Sequence, residues 1–93
     1  MNQAADVITL TIPAKPEFVS IARLTSSGVA NRMGYTFDDI EDIKIAVSEA
    51  CTNAVSHAYR NHETGTINIR LECTQRSLII TVIAMVSVSI SIR

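Results

Sequence analysis

Ninety-three residues with 8 basic and 9 acidic side chains describe one small domain of nearly balanced charge, able to bury about two thirds of the surface its unfolded chain exposes. A formal net charge of −1 offers no electrostatic footprint for a nucleic-acid backbone or an anionic membrane surface. The N-terminus carries Asp6 and lacks the basic-then-apolar order of a secretory leader, so Cys51 and Cys73 read as buried thiols in a reducing cytoplasm, not as a disulfide.

In chain order, residues 7–12, VITLTI, alternate and are rich in β-branched side chains, the pattern of a strand that Pro13 stops. Pro16 suits the first position of a helix, where a missing N–H costs nothing. From Glu17 to Met33 the apolar positions Val19, Ala22, Val29 and Met33 recur at helical spacing, and Gly34 is placed to cap the C-terminus. Gly28 weakens this helix and is expected to permit close packing.

Thr36 with Asp39 three residues on is a variant capping box for a second helix, which the periodicity carries to about Tyr59 or Arg60. Its apolar arc holds Ile40, Ile43, Val47, Ala50, Cys51, Ala54 and Ala58. NHETG, residues 61–65, is a polar turn. TINIRLE, residues 66–72, alternates again, and SLIITVI, residues 77–83, reads as a more buried strand joined to it by a short hairpin turn at TQR. The expected fold is α/β, a two-layer sandwich of β-α-α-β-β order with both helices on one face of the sheet. AMVSVSISIR, residues 84–93, alternates aliphatic residues with serine and ends on one charge. By pattern it is a further amphipathic strand, continuing or pairing with residues 78–83. As such it would be an exposed edge with no gatekeeper before Arg93. The apolar run from Leu78 to Ile92 is interrupted by serines and too short for a convincing membrane helix.

The second helix also carries the chemistry. With Glu49 set at zero and about 100° per residue, Asp42 falls near 20°, Asn53 near 40° and His57 near 80°. A carboxylate, a neutral amide and an imidazole thus share one narrow stripe with Ala46 as a small gap. A carboxylate can take a hydroxyl proton, and an amide oxygen can ligate Mg²⁺ without adding charge. Phosphoryl transfer needs both close together, because its catalysis is mostly positioning and electrostatics. By spacing alone such a pair on an arbitrary helix is more often a solvated hydrogen-bonding pair than a catalytic one. His57 fits a partly buried histidine near a helix C-terminus better than a metal ligand, since no second histidine or cysteine has ligand spacing with it. Asp42 either orients groups on the stripe or adds negative charge to the first turns.

The full string IEDIKIAVSEACTNAVSHAY, residues 40–59, closely resembles the N-box of the GHKL (Bergerat-fold) ATPases, in particular the anti-sigma-factor serine kinases, and the likeness runs over about residues 6–83. It implies a partial GHKL fold. It implies Glu49 as general base and Asn53 as ligand to the Mg²⁺ held by ATP. It also implies ATP-dependent phosphorylation of a serine on an anti-anti-sigma antagonist and sequestration of a general-stress, sigma-B-type sigma factor. By the same resemblance the molecule is expected to be a homodimer and Arg23, in an ARLT-type segment, an accessible partner contact. The expected cytoplasmic location and the lack of a direct nucleic-acid or membrane role rest on the cysteines and charge read above. Without the resemblance Arg23 reads as a snorkelling surface arginine.

Residues 1–83 are therefore expected to be the N-terminal part of such a domain, and 84–93 a divergent tail. The family continues with an aspartate-glycine box for adenine, a lid and a glycine-rich phosphate segment. Here VIAMVSVSISIR stands in place of the first box, and no residue after Glu72 is acidic. A nucleotide would meet neither a base-recognising carboxylate nor a backbone nest for its phosphates. MVSVSISIR can be encoded so that an alternate frame reads GVSFDIDQ, similar to the family's sequence beyond its aspartate box, which suggests a frameshifted end. The alternatives to a kinase are a non-catalytic sigma-binding or dimerisation module, or an inactive remnant.

Overall fold

The computed structural model describes residues 6–60, 65–84 and 88–92. Its elements are β1 (Asp6–Pro13), a single 3₁₀ turn (Pro16–Phe18), α1 (Val19–Arg32), α2 (Phe37–Arg60), β2 (Thr66–Cys73), β3 (Leu78–Ile83) and β4 (Val88–Ile92). The strands form one antiparallel sheet in the order β1-β2-β3-β4, and α1 and α2 lie between its first two strands in sequence. The two-layer α/β sandwich is as expected, with a fourth strand added at its edge.

Alternation sets the layers. Ile12 and Ile67 face each other across β1 and β2, as do Leu10 and Ile69. Ile69 then meets Val82, and Leu71 meets Ile80, across β2 and β3. Ile67, Ile69, Leu71, Leu78, Ile80 and Val82 are all buried, because successive strand residues point to opposite faces and this set points at the helices. The other face carries Thr11, whose hydroxyl donates to Asn68 Oδ1 at 2.7 Å, and an Arg70–Glu72 ion pair at 3.5 Å. Thr74 closes the hairpin between β2 and β3: its N–H donates to the Ser77 carbonyl at 2.9 Å, and its Oγ1 accepts the Arg76 and Ser77 N–H groups.

Pro16 opens the 3₁₀ turn, and the α-helix proper starts only at Val19. The buried line of α1 runs Val19, Ala22, Ser26, Ala30; Val29 and Met33 pack at its border. Ser26 fits the core because its hydroxyl donates to the Ala22 carbonyl one turn back at 2.9 Å, so no polar group is left unpaired. Gly34, at φ +88°, ends the helix: Tyr35 N–H reaches the Ala30 carbonyl and Gly34 N–H the Asn31 carbonyl, the paired bonds of a Schellman cap. Gly28 departs from expectation. It is exposed, and a Cβ there would meet nothing within 4 Å, so it serves no close approach.

Thr36 caps α2 as its sequence suggests, accepting the Asp39 N–H at 3.2 Å. Ile43, Val47, Ala50, Cys51 and Val55 form its buried face, with Ile40 and Ala54 packed at the margin. This arc sits on the sheet, and the polar stripe is left on the opposite side. The NHETG turn lies outside the described residues apart from Gly65, whose carbonyl accepts the Ala14 N–H at 2.9 Å.

Candidate functional site

Helical geometry and burial together place the chemistry-bearing residues of α2. The sheet takes the arc from Ile43 to Val55, so the residues roughly opposite that arc are left outside the helix–sheet core. Glu49, Asn53 and Asp42 are exposed, and His57 is half-buried near the end of the helix. Glu49 and Asn53 are one turn apart, a rise of about 6 Å, on a face that no described element covers. An exposed carboxylate there can accept a proton, and a neighbouring amide oxygen can supply one ligand to a cation carried by something else. Among the described residues no group of three or more histidine, cysteine or acidic side chains is arranged to hold a metal ion. One neutral amide fits a Mg²⁺ ion that arrives already ligated by phosphates and water; it does not make a metal site by itself.

Arg23 lies elsewhere. It is half-buried on α1, and its Nη1 donates to Ser48 Oγ of α2 at 3.3 Å. It lines a groove of about 350 Å³ in which Pro16, Val19 and Ser20 face Thr52, Val55 and Ser56. The guanidinium folds into the seam between the helices because the flank of α2 there is built from short side chains. Arg23 is thus a tethered group at a groove, not an arm free in solvent. A second groove, of about 400 Å³, lies at the opposite end of α1 among Asp6, Ile8, Val29, Arg32, Met33, Cys73, Thr74 and Gln75. Glu49 and Asn53 line neither groove.

Ser48, Thr52 and Ser56 were not singled out by motif. Their signal is nevertheless in the sequence: three small hydroxyl residues at a strict four-residue interval mark one flank of α2, the flank that meets α1. Neither cysteine looks like a nucleophile. Burial pushes the Cys51 thiol up from its ordinary value, and desolvation, then the nearby Asp6 charge, does the same to Cys73. Both shifts reduce the thiolate fraction that reactivity requires.

The family model described as a histidine kinase-like ATPase domain matches residues 12–87. The serine-protein kinase RsbW of Bacillus licheniformis is 63% identical over 70 residues, which is 75% of this chain and 44% of that protein. The serine-protein kinase RsbW of Bacillus subtilis gives the same identity and coverage. That of Halalkalibacterium halodurans is 55% identical over 76 residues, 82% of this chain and 47% of its own length. The chain thus spans less than half the length of the curated relatives it matches. No helix among the described residues is long and apolar enough to cross a membrane.

Proposed function

The chain belongs to the histidine kinase-like ATPase family, and from that premise we propose that it carries the N-terminal part of an anti-sigma-factor serine kinase and acts, as these 93 residues, through binding partners and not through phosphoryl transfer. In the complete domain Glu49 is the base that takes the proton of the substrate serine, and Asn53 ligates the Mg²⁺ that comes with ATP. Residues 1–83 supply that part of the domain, and 84–93 form a tail of their own. The substrate is an anti-anti-sigma antagonist, and the sequestered partner is a sigma-B-type sigma factor in the cytoplasm.

The observation that carries the binding reading is the outer surface of the two helices. Arg23 is held at its groove by Ser48, while Leu24 and Ile45 stand 64% and 65% exposed. Leu24 follows Arg23 on α1, and Ile45 precedes Ser48 by three residues on α2. Two large aliphatic side chains left in water on the helices that hold this guanidinium are the materials of a protein contact, since binding would remove apolar area at little ordering cost to the arginine. Glu49 and Asn53, by contrast, stand on an open face. Residues 73–93 contain neither an acidic residue nor a glycine, so this stretch supplies no carboxylate for a base and no glycine-rich nest for phosphates. Family resemblance adds a homodimer to this reading.

Calorimetric titration separates the two activities. The chain should bind the sigma factor or the antagonist while its affinity for Mg²⁺–ATP falls at least about 100-fold below that of a chain extended through the family's nucleotide-binding segments, about 2.7 kcal/mol. Arg23→Ala should weaken partner binding without altering nucleotide affinity. Transfer of phosphate to the antagonist by the 93-residue chain would overturn the binding reading.

A further inference from the structure

β4 is the last strand of the sheet, with β3 on one side and no further strand on the other among the described residues. Val88, Ile90 and Ile92 occupy register positions opposite Val82, Ile80 and Leu78, while Ser89 and Ser91 are opposite Thr81 and Ile79. The outer side of such a strand offers a row of unpaired N–H and C=O groups, which proteins usually blunt with charge, proline or a bulge. VSISI contains no charge and no proline. The opposite edge strand, β1, has Asp6 at one end and Pro13 at the other. The family match ends at residue 87, so β4 lies outside the part of the chain that resembles the family.

The β4 sequence is also symmetric in chemistry about Ile90, with aliphatic residues at 88, 90 and 92 and serine at 89 and 91. A two-fold axis beside Ile90 would pair two β4 strands antiparallel, Val88 opposite Ile92 of the second copy and Ser89 opposite its Ser91. Every rung then matches aliphatic with aliphatic and hydroxyl with hydroxyl, and no like charges oppose each other. A shift of one residue would set serine against aliphatic at each rung. We propose that β4 pairs with β4 of a second copy of this chain, joining two four-stranded sheets into one continuous sheet. The two-fold uses up the unprotected edge of both copies, so the assembly closes as a dimer. Because β4 lies outside the family match, this contact is a property of this chain's own tail, separate from the homodimer that family resemblance adds, and it is independent of the catalytic and sigma-factor readings.

Sedimentation equilibrium of the 93-residue chain tests it. The wild-type chain should sediment as a dimer at micromolar concentration. S89K/S91K sets lysine against lysine across the axis and should weaken dimerisation by at least about tenfold. Mixing it with S89E/S91E should restore a heterodimer. T9K/T11K, on β1, should leave the dimer intact. Amide exchange of the unsubstituted chain gives a readout that needs no variant: protection over residues 88–92 should rise with protein concentration. A wild-type monomer would overturn both the dimer and its surface. A dimer indifferent to S89K/S91K, lost in T9K/T11K, or showing concentration-independent exchange at residues 88–92 would overturn the β4 pairing alone.

Discussion

The two faces of α2 obey different constraints. On one, Ile43, Val47 and Cys51 are almost wholly removed from water against the sheet. On the other, Asp42, Glu49 and Asn53 are exposed and contribute to no described core contact. The first face is fixed by packing, because an interior at crystal-like density leaves no slack for a lost methyl group. The second takes no part in the core, so burial does not constrain its residue types. A polar, short-chained stripe with a carboxylate and an amide one turn apart is consistent with chemistry; a purely solvating face would be satisfied by lysines and glutamates.

Substitutions on the two faces should therefore have effects of very different size. Ile43→Ala is expected to be the largest, costing about 2–5 kcal/mol through lost transfer energy and an unfilled cavity; urea denaturation should show the midpoint falling with little change in slope. A loss below about 1 kcal/mol would mean that the helix–sheet interface repacks and is not close-packed. Thr36→Ala removes the oxygen that accepts the Asp39 N–H and should cost about 1 kcal/mol, read by the same titration.

Gly28→Ala should change stability in the opposite direction. The site is helical, exposed and open to a Cβ, so alanine should stabilise by about 0.5–1 kcal/mol. Destabilisation would reveal a contact on that side of α1. The smallest effects belong to the open face: Glu49→Gln and Asn53→Ala should each move stability by no more than about 0.5 kcal/mol. In a chain extended through the nucleotide-binding segments, Glu49→Gln should depress phosphoryl transfer far more than ATP binding, since it removes the proton acceptor and keeps the shape. Equal loss of both would assign Glu49 to binding.

Much of this contrast is legible in the sequence. The 3.6-residue period of the run from Ile40 to Ala58 separates the sheet-facing arc from the stripe before any coordinates, and Thr36 and Gly34 announce the helix ends by their local chemistry. Val55 and Ala30 escape that reading because they lie at the margins of their apolar stripes, where burial depends on the neighbouring element. Ser26 escapes it for another reason: a hydroxyl looks solvent-seeking until its own helix supplies an acceptor at Ala22. Glu49 and Asn53 stand out through the whole N-box string; their four-residue spacing is common on ordinary helices.

By itself, then, the sequence determined the local elements, the buried face of α2 and the membership of its N-terminal portion in a family, because period, caps and motif are properties of neighbouring residues. Tertiary structure alone decided that Arg23 turns to Ser48 across 25 positions of chain, since that bond exists only once α1 and α2 lie side by side. It also decided the place of VSISI. Alternation permits a strand anywhere, and only the free hydrogen-bonding edge of β3 fixes this one antiparallel beside it, in the register Ile80 to Ile90.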